Sequence, residues 1–214
     1  MKTEGLRERK KRAMRRQLSD TATRLFLERG FDSVRVADVA EACGVSEKTV
    51  FNYFPTKEAL VLDRLEATAD ALRTHLADPA LPPVEAMLRV LAEELRELTT
   101  SLAADERALA GYRRFGDLLR ETPSLRAYQN DAADRFADVA AEVLAARAGL
   151  RAEDPEPQVA AAALLGLWRV QFRALRTHVR PGRPVEDAVA EVTGEVRRAA
   201  ALLEGGLAGF PAVS

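Results

Sequence analysis

The chain is poor in the residues from which catalytic and metal centres are usually built. Its 214 residues include two histidines, His75 and His178, and one cysteine, Cys43. A single cysteine excludes an intrachain disulfide and fits a reducing, cytoplasmic setting. Cys43 reads as a small core residue more readily than as a redox switch. No HExxH pair, glycine-rich phosphate loop or serine elbow occurs, and no ligand cluster has metal spacing. An enzyme or a cofactor protein is therefore not expected. No apolar run approaches the roughly 18 residues a membrane span needs. The charged stretch from Lys2 to Arg16 has no apolar segment behind it, so it does not read as a signal peptide. Runs of β-branched residues, alternating strand patterns and internal repeats are also lacking.

What is abundant is Ala, Leu, Arg and Glu, a composition that favours helices. The expected fold class is all-α with nine helices. The formal net charge of −1 conceals an asymmetry. Residues 1–60 carry 13 Lys/Arg against 9 Asp/Glu, and residues 61–214 carry 19 against 24. Within residues 1–16 the count is 8 basic to 2 acidic. A basic front end on an acidic body points to a polyanionic partner for the front end; the alternative for the first residues is a solvated tail. An overall excess of positive charge, as a nonspecific architectural DNA binder would need, is missing.

Helical periodicity predicts a first helix over about 9–29, closed by Gly30, and a second over 36–43. Gly44-Val45-Ser46 forms a tight turn. Ser46 caps a third helix running to about Phe54, and Pro55 ends it. Thr56 caps a fourth helix that continues to about Leu76. Helix, three-residue turn with glycine, short helix is the helix-turn-helix spacing. Val39, Ala40, Val45, Val50 and Phe54 can pack the pair together. The opposite face of the third helix offers Glu47, Lys48, Thr49, Asn52 and Tyr53, side chains suited to base edges in a major groove. Lys57 and the start of the fourth helix suit phosphate. A buried helical hairpin with a polar edge is the competing reading.

"LFLERGFDSVRVADVAEACGVSEKTVFNYFPTKEAL" resembles the TetR family of bacterial transcriptional regulators. The glycine after the first helix, "VADVAEACGVS" and "VFNYFPTKEAL" carry the resemblance, which spans residues 11–71 with the motif at about 34–53. It implies a homodimer whose recognition helices enter successive major grooves of a near-palindromic operator. It also implies a C-terminal effector-binding and dimerisation domain, here 77–214, behind a basic arm, 1–10. By the family pattern Lys48, Thr49 and Asn52, flanked by Ser46 and Glu47, fall where bases are read, and Tyr53 and Lys57 where phosphates are held. Two positions depart from the pattern. Phe51 replaces a phosphate-binding tyrosine and is expected in the core. Arg35 replaces a threonine cap, so that Ser33 is the alternative cap and Arg35 itself is a phosphate ligand.

Beyond the proline-rich break at 78–83, apolar stripes predict five more helices. Leu164, Trp168, Gln171, Leu175 and His178 share one stripe of the eighth helix, with Phe172 beside it. Tyr112, Phe115 and Leu119 on the sixth helix and Phe136 on the seventh are candidate walls of an effector pocket. Each aromatic can equally be plain core. Arg113, Arg114, Arg169, Arg173 and Arg176 are either anion ligands or surface residues. Segments 111–149 and 161–175 resemble the subgroup containing the mycofactocin-cluster regulator, which implies an acyl-CoA-like effector. Helices 8 and 9 are the expected dimer interface. The expected function is ligand-responsive repression, with activation or ligand-independent binding as alternatives.

Overall fold

The computed structural model describes residues 5–103 and 106–205, all of whose regular elements are helices. There are ten among these residues, not nine: α1 Leu6–Arg29, α2 Val36–Cys43, α3 Glu47–Tyr53, α4 Lys57–Val61, α5 Arg64–Ala77, α6 Pro83–Ala103, α7 Glu106–Glu121, α8 Pro123–Ala148, α9 Pro155–His178 and α10 Val185–Glu204. The all-α expectation holds. The extra helix arises because the expected fourth helix divides at Leu62–Asp63, where no proline or glycine marks a break. Tertiary bonds do it. The hydroxyl of Ser19 donates to the Leu60 carbonyl at 2.9 Å, an acceptor that a continuing helix would give to the fourth residue onward. Arg15 Nε pairs with Asp63 at 2.5 Å, fixing the chain just past the break.

The basic arm differs as well. Residues 1–4 lie outside the described residues, as does the glycine-rich end beyond 205, but α1 is already helical from Leu6. Arg7, Lys10 and Lys11 are thus helical residues with fixed directions rather than part of a tail.

The chain divides into two compact units, one holding residues up to 64 with 114–129, the other 65–113 with 130 onward. In the first, α1 packs on α2 and α4, and α2 on α3. Leu18, Ala22, Leu25, Phe26, Val34, Val39, Val50, Phe54 and Leu60 form its buried set. Gly30 closes α1 at φ 84°, ψ 150°, a region that a side chain would strain. Its N–H returns to the Phe26 carbonyl, and Phe31 folds back to 4.9 Å from the Phe26 ring. Gly44 turns between α2 and α3 in the left-handed conformation, φ 68° and ψ 32°.

In the second unit α6, α9 and α10 pack on one another. One apolar cluster gathers Leu72, Leu76, Met87, Val90, Leu91, Phe136, Leu164, Leu167 and Trp168. Another joins Leu95, Leu102, Leu175, Val179 and Val192. The Arg147 guanidinium ties the α5–α6 turn to α8 by donating to the carbonyls of Leu76 at 2.8 Å and Leu81 at 2.9 Å.

Candidate nucleic-acid interface and effector unit

The short helix α3 owes its start to Ser46, whose hydroxyl oxygen accepts from the Thr49 N–H at 3.1 Å. The same oxygen lies 2.9 Å from the Thr49 hydroxyl, which orients that side chain. Val50 and Phe54 anchor the inner face at 0% and 1% exposure. At 100° per residue the face directly opposite carries Lys48, Thr49 and Asn52. Lys48, Asn52 and Glu47 are exposed, while Thr49 and Tyr53 are half-buried. The helix therefore has one apolar side to fix it and one polar side left for solvent or a partner.

On one flank of that polar side lies an open groove of about 830 Å³, lined by Thr49, Asn52 and Tyr53 of α3 and by Arg7, Lys10, Lys11 and Met14 of α1. Three cations on one wall and amide, hydroxyl and phenol groups on the other form a surface for a polyanion with readable edges. Sequence reasoning had the basic charge but not these positions. The spacing 7, 10, 11, 14 is a single helical face, so it was readable once α1 is started at Leu6.

The other flank carries Phe51, 49% exposed. The expectation that it belongs to the core is wrong. Its place on the helix, about a quarter turn from the Val50–Phe54 side, leaves it at the surface, and the inner face is already filled by Val50 and Phe54. Arg35 stands at the N-cap of α2, where it cannot accept a hydrogen bond; Asp38 supplies the acceptor instead. Its carboxylate takes the Arg35 N–H at 2.7 Å and the guanidinium at 3.3 Å, and the Arg35 N–H is the main reason that the Asp38 carboxyl lies below its ordinary range. Ser33 does not cap α2. The Arg35 side chain remains 80% exposed.

Lys57 has a different setting. Its ammonium donates to the Phe31 carbonyl at 2.5 Å and lies 4.1 Å from the Phe31 ring centre and 5.5 Å from that of Phe26. Desolvation pulls its pKa below the ordinary lysine value, against the opposing charges of Asp32, Glu58 and Asp38. In this structure Lys57 braces the turn after α1.

In the second unit, Leu164, Trp168, Gln171 and Leu175 are buried as the stripe predicts, and Phe172 is half-buried. Trp168 meets Phe136 edge-on at 5.7 Å and stacks on Phe172 at 5.9 Å. Tyr112 packs with Leu175 in the second apolar cluster; burial raises its phenol pKa, with Arg176 opposing. Phe115 and Leu119 group with the first unit. His178, at the end of the stripe, bonds across to α10, 2.7 Å from Glu195, and not toward the aromatics. The arginines at 113, 114, 169, 173 and 176 are exposed.

The residue missed is Glu94. Gln171 donates to the Leu91 carbonyl at 3.1 Å and to Glu94 Oε2 at 3.4 Å. Thr68 donates a short hydrogen bond to Glu94 Oε1, and the nearby Trp168 indole favours the charged form of the same carboxylate. Burial, the largest influence, pushes the Glu94 carboxyl above its ordinary range despite those donors. The signal was present: Glu94 sits three residues past Leu91 and four past Val90, within the buried side of α6.

A family model described as "Bacterial regulatory proteins, tetR family" matches residues 18–63, and one described as "MftR C-terminal domain" matches residues 81–201. The chain is similar to the mycofactocin biosynthesis transcriptional regulator MftR of Mycobacterium tuberculosis, with 28% identity over 70% of this chain and 73% of that protein. It is 31% identical to the transcriptional regulator TcmR of Streptomyces glaucescens over 79% of this chain and 76% of the relative. Among solved structures, the Thermus thermophilus repressor FadR in complex with lauroyl-CoA superposes with a TM-score of 0.50 at 24% identity, covering 94% of this chain and 98% of that one. At that identity the likeness speaks to the fold.

Proposed function

The chain belongs to the TetR family of bacterial transcriptional regulators, and on that premise we propose that it is an effector-released repressor of a near-palindromic operator. The observation that carries the DNA half is the groove shared by α1 and α3: base-reading groups and phosphate-binding cations share one opening. Lys48, Thr49 and Asn52 read base edges, Arg7, Lys10, Lys11 and Tyr53 hold the backbone, and Arg35 adds a phosphate contact from its exposed position. The family forms dimers. We assign the interface to α9 and α10, which were helices 8 and 9 of the sequence reading. Val159 at 69% and Leu202 at 37% exposure, one on each, are unspent apolar surface.

The effector is small and apolar or amphipathic, held by the unit containing Trp168, Phe136 and Phe172. An effector that prefers one spacing of the two recognition helices shifts the dimer away from the operator-binding spacing by its differential affinity. Long-chain acyl-CoA, the ligand class that the MftR-like resemblance suggests, is the first compound to try. The purified protein is incubated with the DNA upstream of its own gene, in moderate salt with competitor DNA, with and without lauroyl-CoA. Specific binding released by lauroyl-CoA supports both halves. Specific binding that ignores it keeps the regulator and removes that ligand. Failure to select any specific sequence from a random pool would sink the operator-reading proposal.

A further inference from the structure

Glu94 satisfies the buried Thr68 hydroxyl and accepts from the Gln171 amide, yet a neutral acceptor could do the same, and Glu94 brings a titratable carboxylate into an apolar bundle. Its neighbours are α5 through Thr68 and α9 through Trp168 and Gln171, and each presents a neutral donor. The charge acting on it is that of Glu97, of the same sign. Among the described residues no ion pair involves it. A carboxylate offers about four acceptor sites; the Thr68 and Gln171 donors take two of them, and these neutral donors stabilise the charge without cancelling it. An unpaired charge withdrawn from water is costly, and a partner of opposite sign offsets the cost. Trp168 beside it lies within 6 Å, ring to ring, of both Phe136 and Phe172, and aromatic faces attract cations. Glu94 remains half-buried rather than sealed from solvent.

We propose that Glu94, framed by Thr68, Trp168 and Gln171 and walled by Phe136 and Phe172, is the polar end of an effector subsite that takes a protonated amine on an apolar body. This rests on the effector reading of the unit and sharpens it. An anionic head group is repelled from this corner, and of an acyl-CoA only the apolar tail suits it.

Trp168 is the only tryptophan of the chain and touches the site, so its fluorescence reports occupancy. The full-length protein is titrated at pH 7 with decylammonium, decanol and decanoate below their micellar concentrations. The three share a chain and differ in head-group charge. Decylammonium is expected to bind at least about tenfold more tightly than either other ligand, one factor of ten being 1.4 kcal/mol. Glu94→Gln is expected to erase that preference while still binding decanol, with cooperative thermal unfolding as the check on its fold. Equal affinities, or tighter binding of decanoate, overturn the charge assignment and leave the effector reading standing. No fluorescence response to any of the three overturns the subsite and the effector reading of this corner together. Should Glu94→Gln not fold, the ranking of the three ligands on the wild-type protein decides alone.

Discussion

Lys11 offers the sharpest test of the nucleic-acid interface. It is exposed on the outer turns of α1, lines the groove beside Thr49, Asn52 and Tyr53, and its replacement by alanine removes no buried contact. The helix should persist, because alanine is the better helix former. Each phosphate contact contributes about 0.9 to the slope of log K against log salt on duplex DNA. In a two-fold dimer Lys11→Ala removes two such contacts, so the slope should flatten by about 1.8. Operator and random duplex should weaken alike, because a phosphate contact positions without specifying. The assay is fluorescence anisotropy on both duplexes between about 50 and 200 mM salt, the range over which multi-contact binders lose most affinity. A slope unchanged from wild type would refute the groove as a phosphate wall. A loss confined to the operator would show instead that Lys11 reads bases.

Asn52→Ala should do the reverse, costing about 1–3 kcal/mol of discrimination per contacted base while the salt slope of random-duplex binding stays unchanged, which competition binding measures. Phe54→Ala should destabilise the first unit by about 3–5 kcal/mol, as for a buried phenylalanine, because the ring is 1% exposed and lies under the Arg15 guanidinium at 4.8 Å; denaturant unfolding checks it, and a small effect would contradict its anchoring of α3. Glu94→Gln should stabilise the protein at neutral pH. The folded carboxyl has a raised pKa, so the wild type loses stability as pH rises from the unfolded value through the folded one. The gap between variant and wild type should therefore open with rising pH and close near about pH 4, and thermal unfolding at stepped pH reads it.

Much of the DNA-binding unit was legible because its determinants are local. Gly30, Gly44, Ser46, Pro55 and Thr56 act through their own backbone geometry or through bonds three residues away, as the Ser46 cap of Thr49 and the Thr56 cap of Ala59 show. Apolar spacing gave the helices of the second unit for the same reason, and the all-α class with them. What escaped depended on partners distant in sequence. The division of the expected fourth helix follows from Ser19 and Arg15, 41 and 48 positions from the atoms they bind. Phe51 looked like core because it is apolar, yet its exposure is decided by which side of α3 the rest of the unit covers. Lys57 looked free for phosphate until the fold set the Phe31 carbonyl against it. Glu94 was one glutamate among many until α5 and α9 closed on it. The sequence by itself determined where helices start, stop and turn, since those are short-range properties of the chain. Only the tertiary structure decided which polar groups face water, which face each other and which are left with a charge to satisfy, because solvation and electrostatics depend on everything packed nearby.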